Sequence, residues 1–222
     1  MTQKEAWESV AEHWIALVRT GGDRSFDYGA EAFFELLPPP ARSVLELGCG
    51  EGRVARRLAA LGYAVVGLDS SPTMVGLARE ADPDGEYVLG DAAALPFGDA
   101  SFDLVAAFMS LQDMDDPAAA ICESARVLVS GGCFCFAVIH PLWTSGEVDD
   151  DANRFVIRGS YLAAVPHIRP VMQVPSIHRP LESYFRGLEE GGLLVQTMHE
   201  LPTRTRLPGL LPVYLHVRAV RT

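Results

Sequence analysis

The stretch that decides the fold is Val44-Leu45-Glu46-Leu47-Gly48-Cys49-Gly50-Glu51-Gly52, followed by the helical pattern Arg53-Val54-Ala55-Arg56-Arg57-Leu58. A short apolar run, a turn with alternating glycines and an amphipathic start predict a buried strand, a tight turn and a helix. Glycine suits this turn because it adopts backbone angles that side chains resist, and because it leaves space for a ligand beside the backbone. The stretch therefore predicts a nucleotide-type pocket at the start of a helix.

The spacing of the glycines separates two kinds of nucleotide site. The dinucleotide fingerprint has a third glycine three positions after the second, where this chain has Arg53. The spacing here is Gly48-x-Gly50-x-Gly52, with Glu46 before it and Asp69 at the end of the next apolar run. A carboxylate at the position of Asp69 can accept hydrogen bonds from both ribose hydroxyls. These residues resemble the first motif of the class I S-adenosylmethionine (SAM) dependent methyltransferases, and the resemblance implies SAM as the cofactor.

Composition and charge narrow the possible partners. The 222 residues fit one domain, residues 1–222, with a sizeable core. Asp and Glu number 29 against 18 Lys and Arg, and the net charge of −11 disfavours a nucleic-acid surface. The N-terminus lacks the apolar core of a signal peptide, and no apolar run reaches membrane-spanning length. We therefore expect a cytoplasmic protein with no nucleic-acid or membrane partner. The resemblance implies a small-molecule substrate, and a homodimer is a further candidate assembly.

The cysteines indicate a reducing compartment rather than a metal site. The chain has four, Cys49, Cys122, Cys133 and Cys135, and their spacing is not the paired spacing of zinc ligands. We therefore expect free thiols and no bound metal.

The first 40 residues predict a helical cap. Trp7, Trp14 and other apolar residues recur at helical spacing between Glu5 and Val18, where we expect them to pack in the core, and a second helix is predicted from about Gly29 to Leu37. A polar stretch with two aromatic residues, 23–28, lies between them. In methyltransferases of similar build an N-terminal segment folds across the cofactor. The resemblance thus implies that Arg24 pairs with the methionine carboxylate and that Tyr28 faces the cofactor or the substrate; a solvated connector is the equal alternative.

Polar residues follow the second and third predicted strands. Ser70-Ser71-Pro72 opens a helix, with serine as the N-cap and proline in the first turn, and Ser70 joins the candidate cofactor residues. Met74 lies one turn further on, and the resemblance of Asp-Ser-Ser-Pro-x-Met-x-x-x-Ala to the family favours contact with adenine over core packing. Asp91 ends the third strand, where it can accept a hydrogen bond from the adenine amino group while the Ala92 N–H donates to the ring.

The fourth and fifth predicted strands point to the reacting end of the cofactor. The run Phe-Asp-Leu-Val leading to Leu-Gln-Asp-Met resembles the family's fourth motif, which implies that Phe108 contacts the methionine part of SAM. His140 follows the fifth strand, and its ordinary pKa near neutrality makes it the candidate general base. Capping of the strand, or a bond to a backbone carbonyl, explains a histidine before Pro141 equally well.

Alternation of strands and helices predicts the fold. Apolar strands at 44–47, 64–69, 87–91, 101–108 and 133–139 alternate with helices, which predicts an α/β, Rossmann-like, doubly wound sheet with ligands at the carboxyl ends of the strands. Two further strands, at 193–199 and 213–220, bring the total to seven, and the resemblance implies that the last runs antiparallel.

An insertion after the fifth strand, residues 141–179, is the candidate substrate lid. Residues 147–151 predict a charged loop, and 154–158 and 170–174 predict two short antiparallel strands. Tyr161, His167 and His178 lie in or beside this segment and are candidate substrate residues. For each of the two histidines a structural or solvated role is the stronger alternative.

Three functions fit these features. The leading one is a SAM-dependent methyltransferase of the bacterial small-molecule type, acting on O, N or C of a small organic molecule such as a secondary metabolite. The second is a SAM-binding enzyme that promotes a rearrangement without methyl transfer. The third, an NAD-dependent oxidoreductase, is disfavoured by Arg53 at the third-glycine position.

Overall fold

The computed structural model describes residues 1–22, 24–40, 43–149, 151–152, 154–157, 159–169, 174–202 and 211–222. The helices are α1 (Gln3–Arg19), α2 (Arg24–Leu36), α3 (Arg53–Ala60), α4 (Pro72–Ala81), α5 (Pro117–Val127), α6 (Pro141–Thr144) and α7 (Leu181–Glu190), with a 3₁₀ turn at Leu111–Asp113. Among these described residues, no helix has the length and apolar character needed to cross a membrane.

Seven strands form the central sheet, and two hairpins lie outside it. In chain order the strands are β1 (Val44–Leu47), β2 (Val65–Asp69), β3 (Glu86–Leu89), β4 (Phe102–Phe108), β5 (Leu128–Ile139), β6 (Gly146–Asp149), β7 (Arg154–Ile157), β8 (Val165–Arg169), β9 (Val174–His178), β10 (Leu193–Pro202) and β11 (Pro212–Arg221). The sheet order is β10-β11-β5-β4-β1-β2-β3, and β11 runs antiparallel to both neighbours. The predicted seven-stranded α/β fold with an antiparallel last strand is confirmed.

Alternating side chains of the central strands build a core on each face of the sheet. Leu45 and Leu47 of β1 pack in a cluster with residues of α5 and α7, including Ile121 and Leu188. Val44 points to the opposite face, where a second cluster contains residues of α2 and α3. Burial on both faces explains why the strands read as continuous apolar runs, and helices on both sides leave only the strand ends open to a ligand.

Several boundaries differ from the sequence prediction. Helix α2 begins at Arg24, so the stretch predicted as a polar connector is helical from residue 24 onward. Strand β5 begins at Leu128, before the predicted start at 133, and includes Gly131 and Gly132, which are typical turn residues. Gly131 has φ 77°, and the pairing of β4 with β5 shifts register in this region. A bulged strand start and a turn share the same glycine signal, so the sequence alone did not separate them.

The insertion pairs differently from the prediction. The segment 146–149, predicted as part of a charged loop, is strand β6 and pairs with β7, while β8 pairs with β9. The described part of the first predicted strand, 154–157, pairs with β6, whereas residues 170–173 of the second lie outside the described residues, so the predicted pairing of the two is not tested. Strand pairing is decided by contacts between segments, which the composition of each segment does not encode. The four cysteines are free.

Candidate cofactor and active site

A cavity of about 510 Å³ lies at the carboxyl ends of the central strands, beneath α1. Its walls come from the glycine turn after β1, the ends of β2 to β5 and one face of α1. Nine of the residues predicted for the cofactor line it: Glu46, Gly48, Gly50, Asp69, Ser70, Met74, Asp91, Ala92 and Phe108. The crossing point of a doubly wound sheet is where such folds bind ligands, so the topology and the cavity agree on one site.

The three glycines of the turn have different roles. All have positive φ, at 68°, 55° and 80° for Gly48, Gly50 and Gly52. A Cβ at Gly48 would overlap that of Ser110, whereas one at Gly50 would meet no heavy atom within 4 Å. Gly52 does not line the cavity; a Cβ there would lie 2.7 Å from the Tyr87 hydroxyl oxygen. Gly52 thus allows close packing against Tyr87, and its predicted contact with the cofactor stays a prediction.

The Asp69 carboxylate is held by the backbone on both of its oxygens. Oδ2 accepts a hydrogen bond from the Gly50 N–H at 2.8 Å and Oδ1 one from the Ser71 N–H at 2.9 Å. Burial raises the pKa of Asp69, and the backbone donors partly offset that rise. Each ionised oxygen keeps a further lone pair, so the side chain can still accept two hydroxyl hydrogens from a ligand in the cavity.

Glu46 is a buried carboxyl group that faces the same cavity. The residue is 2% exposed, and its Oε2 has no hydrogen-bond partner. Burial raises the pKa of Glu46 well above its ordinary value, and the nearby carboxylates of Asp69 and Glu51 raise it further. A buried oxygen without a partner is costly unless a ligand supplies a donor. The ammonium group in the amino-acid part of SAM is such a donor, so Glu46 fits the cofactor implied by the family.

The residues predicted at the adenine end lie around one corner of the cavity. Met74 is buried in the first turn of α4, and Ala92 is buried beside Asp91. Asp91 is exposed, and its Oδ1 accepts a hydrogen bond from the Ala93 N–H at 2.9 Å, which leaves Oδ2 for a ligand. Asp69 and Asp91 follow neighbouring parallel strands and line the same cavity.

Helix α1, part of the predicted N-terminal cap, forms a wall of the cavity, and its tryptophans were not among the predicted site residues. Trp7 and Trp14, predicted as core residues, stack edge to face with ring centroids 5.8 Å apart, pack against the cluster containing Met74, and line the cavity. Thr2, Lys4 and Val18 also line it. The apolar face of α1 was visible in the sequence, but what that face covers depends on where the helix docks.

The wall beyond β4 contains further residues missed by the sequence analysis. Met109 has φ 57°, an unusual angle for a residue with a side chain. The Gln112 side chain donates to the Met109 carbonyl at 2.7 Å and accepts from the Ile139 N–H at 3.0 Å, so it bridges the ends of β4 and β5. The positive φ of Met109 has no signal in the sequence, because methionine does not favour it.

A buried arginine ties the insertion to this wall. The Arg179 guanidinium donates to the carbonyls of Gln112, Met114 and Asp115 at 3.0, 2.9 and 3.2 Å. Burial lowers the pKa of Arg179, although nearby acidic groups oppose that shift. None of the described residues in 141–179 lines the cavity. The insertion thus contacts this wall through Arg179, and the predicted lid role of 141–179 stays a prediction.

His140 has a structural role that conflicts with the general-base prediction. Its Nδ1 accepts a hydrogen bond from the Leu142 N–H at 3.0 Å, capping α6, and its Nε2 lies 3.0 Å from Glu200 Oε1. The proton on Nε2 is thus directed at Glu200 and the Nδ1 lone pair is used. Burial lowers the pKa of His140, and the ring is not part of the cavity wall. The capping alternative is the one that the structure supports.

The candidate substrate residues form a second cluster away from the cavity. His178 Nδ1 lies 2.7 Å from the Thr144 hydroxyl, and its Nε2 lies 2.8 Å from the Tyr161 carbonyl. The Tyr161 hydroxyl accepts a hydrogen bond from the Leu181 N–H at 3.1 Å. Neither Tyr161 nor His178 lines the cavity, so contact with a ligand there is not supported. The structure does not describe the side chains of Arg24, Tyr28 and His167, and the roles of these residues stay predictions.

Comparison with known proteins identifies the family. The family model described as "Methyltransferase domain" matches residues 45–136. The chain is 30% identical over 190 residues to a malonyl-[acyl-carrier protein] O-methyltransferase of Enterobacter lignolyticus, a match covering 77% of this chain and 75% of that protein. It is 39% identical over 125 residues to an uncharacterized methyltransferase of Synechocystis sp., covering 52% of this chain and 58% of that protein. The chain spans about half the length of several curated relatives that it matches.

A solved structure of a methyltransferase has the same fold as this chain. The crystal structure of a SAM-dependent methyltransferase from Mesorhizobium loti superposes with a TM-score of 0.74 at 27% identity, over 86% of this chain and 96% of that one. The seven-stranded sheet, the glycine turn with its carboxylates and the sequence matches agree. The chain belongs to the class I SAM-dependent methyltransferases, whose cofactor is S-adenosyl-L-methionine.

Proposed function

We propose that this protein transfers the methyl group of SAM to O, N or C of a small organic molecule of the secondary-metabolite type. The observation that carries the proposal is the cavity wall beside Gly48 and Gly50. Glu46 in β1, Asp69 at the end of β2 and Asp91 just after β3 line this wall at the ends of three neighbouring strands. SAM is an adenosine with an amino-acid tail, and it has three hydrogen-bond donors: an ammonium, a ribose diol and an exocyclic amine. The three carboxylates at this sheet edge can accept from these donors.

Each carboxylate has a place in this assignment. Asp69 accepts the two ribose hydroxyls, since both of its oxygens are already oriented by backbone donors. Glu46 accepts the ammonium, which supplies the donor that its buried Oε2 lacks. Asp91 accepts from the adenine amino group while Met74 packs against the ring. The backbone after β4, beginning at Phe108, contacts the methionine part of the cofactor.

Positioning is the main contribution of the protein to the chemistry. SAM supplies, when bound, a methyl group that its sulfonium already activates. The chain holds the acceptor atom in line with the S–CH₃ bond and excludes water, both of which are effects of orientation and desolvation. With both nitrogens of His140 engaged, an acceptor that already has an available lone pair fits this site best, because it needs no general base.

The size and charge of the protein support a small acceptor. The cavity of about 510 Å³ lies within the range of small-molecule sites, roughly 300–1,000 Å³. The net charge of −11 opposes binding to nucleic acid. The cap formed by residues 1–40, the lid role of 141–179, the homodimer and the cytoplasmic location stay predictions.

Two experiments test this function in sequence. Calorimetry with SAM, S-adenosylhomocysteine (SAH) and NAD should show binding of the first two and none of NAD. Incubation with methyl-labelled SAM and a small-molecule extract should then transfer label to a metabolite, with the Asp69→Ala protein as the inactive control. Failure to bind SAM and SAH refutes the proposal. Binding of SAM without transfer of label supports instead the enzyme that uses SAM without methylating.

A further inference from the structure

Helix α1 is fastened across the cavity at two points. Near its start, the Gln3 N–H donates to Asp115 Oδ1 at 2.8 Å. One to two turns later, the Glu8 carboxylate takes a hydrogen bond from each of two hydroxyls on α4. Ser71 Oγ donates to Glu8 Oε2, and Thr73 Oγ1 donates to Glu8 Oε1 at 2.6 Å. Each fastening has a carboxylate acceptor, but the first has one hydrogen bond and the second has two.

Glu8 lies outside the cavity but bonds to Ser71, which lines it, and belongs to the same helix as two tryptophans that line it. Trp7 and Trp14 of α1 line the cavity, and so does Ser71, whereas Glu8 and Thr73 lie outside it. Ser71 also caps α4 by accepting from the Met74 N–H at 3.1 Å, and its own N–H donates to Asp69. The Glu8 carboxylate therefore fixes both the roof over the cavity and the turn that orients the ribose acid.

The electrostatics favour a carboxylate that stays ionised in this contact. Burial by itself opposes the ionisation of Glu8, but the hydrogen bonds from Ser71 and Thr73 outweigh it and lower the pKa of the group. Burial is the main cause of the raised pKa of Asp69, and the negative charge of Glu8 adds a smaller rise. Ser71 serves both carboxylates, because its hydroxyl donates to Glu8 and its backbone N–H donates to Asp69, and these bonds offset the repulsion between the two charges.

We propose that Glu8 is a positioning residue that latches α1 over the cofactor cavity through Ser71 and Thr73, so that release of this contact controls ligand exit. The inference deepens the proposed function and rests on it, since it assumes that a SAM-type ligand occupies the cavity. Closure over the ligand excludes water from the reacting end and slows dissociation, which is the usual effect of a roof element in an enzyme site.

The chain offers matched variants for the test. Glu8→Gln keeps the shape of the side chain but removes the charge and turns one acceptor into a donor. Thr73→Val removes the one of the two hydroxyl donors that lies outside the cavity. Glu12→Gln makes the same chemical change one turn later on α1, at an exposed position, and serves as the control.

The first readout is the release of SAH from the full-length protein. Stopped-flow tryptophan fluorescence follows it directly, because two of the three tryptophans line the cavity. We expect Glu8→Gln to release SAH about five- to thirtyfold faster, in line with one weakened charge-assisted hydrogen bond, and Thr73→Val about two- to tenfold faster. Glu12→Gln should stay within about twofold of the wild-type rate.

The second readout needs no ligand. Amide hydrogen exchange of the ligand-free protein should be faster along α1 in Glu8→Gln than in wild type or Glu12→Gln, because the latch holds the helix even when the cavity is empty of cofactor. Faster exchange confined to α1 indicates release of the latch, whereas faster exchange throughout the chain indicates general unfolding. If Glu8→Gln fails to fold, the same comparison is made with Thr73→Val.

The outcomes test the latch and the proposed function separately. Unchanged SAH release together with unchanged exchange of α1 in both variants overturns the latch. If wild-type protein does not bind SAH, the proposed function fails, and the exchange comparison alone then decides the latch: faster exchange in Glu8→Gln supports it and equal exchange overturns it.

Discussion

Replacing Asp69 with alanine tests the cofactor site at its most defined point. The carboxylate is held between the Gly50 N–H at 2.8 Å and the Ser71 N–H at 2.9 Å, and it lines the cavity. Truncation to alanine removes both acceptors that we assign to the ribose hydroxyls. It leaves the two backbone donors without their partner, although water entering the shortened site can replace the carboxylate there.

The magnitude follows from the number of bonds lost. A hydrogen bond to a charged group contributes about 1.5–3 kcal/mol, so two ribose bonds contribute roughly 3–6 kcal/mol. Water that fills the vacated space recovers part of this, so we expect a loss near the lower limit, about 3 kcal/mol. That loss corresponds to an increase of roughly a hundredfold in the Kd of SAM. Asp69→Asn keeps one acceptor oxygen and should lie between wild type and alanine.

Calorimetric titration with SAM and SAH measures this effect. Asp84→Ala is the matched control, since Asp84 is an exposed acid that does not line the cavity. A thermal melt of each variant establishes that the protein is folded. A folded Asp69→Ala protein that binds SAM within about threefold of wild type contradicts the assignment, because a loss below about 0.7 kcal/mol is too small for even one charge-assisted bond.

Two further expectations concern stability. Gly52→Ala should lower the free energy of unfolding by about 1–3 kcal/mol in a urea titration, because its Cβ would meet Tyr87 and the residue has φ 80°. Gly50→Ala should lower the free energy of unfolding by only about 1 kcal/mol and should weaken SAM binding. Equal effects of the two variants on stability and on SAM binding would contradict separate roles for these glycines. Burial and, secondarily, His199 lower the pKa of His216 from 6.5 to about 4, so the folded state resists protonation and stability falls as pH drops from about 6.5 toward about 4. We expect a loss of about 2 kcal/mol between pH 8 and pH 5 that is smaller in His216→Phe; an unchanged pH profile in that variant argues against the histidine as its source.

Much of the cofactor site was predictable because its signals are local. A few neighbouring residues were enough to predict the glycine turn after β1. The same holds for Asp69, which ends the apolar run before α4, and for Asp91, which follows β3. Parallel strands bring their carboxyl ends to one edge, so Asp69 and Asp91 were expected on the same wall, and the structure has them there. The spacing of the motif also indicated the family before any fold was known.

The insertion shows where local signals stop. Strand β6 contains Glu147 and Asp149, and its polar composition resembled a loop, but pairing with β7 makes it a strand. Which of several short segments pair is decided by contacts between them, and these do not follow from the propensity of each segment.

Local periodicity and turn chemistry were enough to predict the order of the central strands and their helices, the glycine turn and the carboxylates at the sheet edge, because these signals act over a few residues. The direction in which the side chains at those positions face depends on the tertiary fold. Gly50 borders the cavity while Gly52 packs on Tyr87, and His140 is turned toward Glu200, a residue sixty positions away. Such orientations arise from packing between distant segments, which no local pattern in the chain specifies.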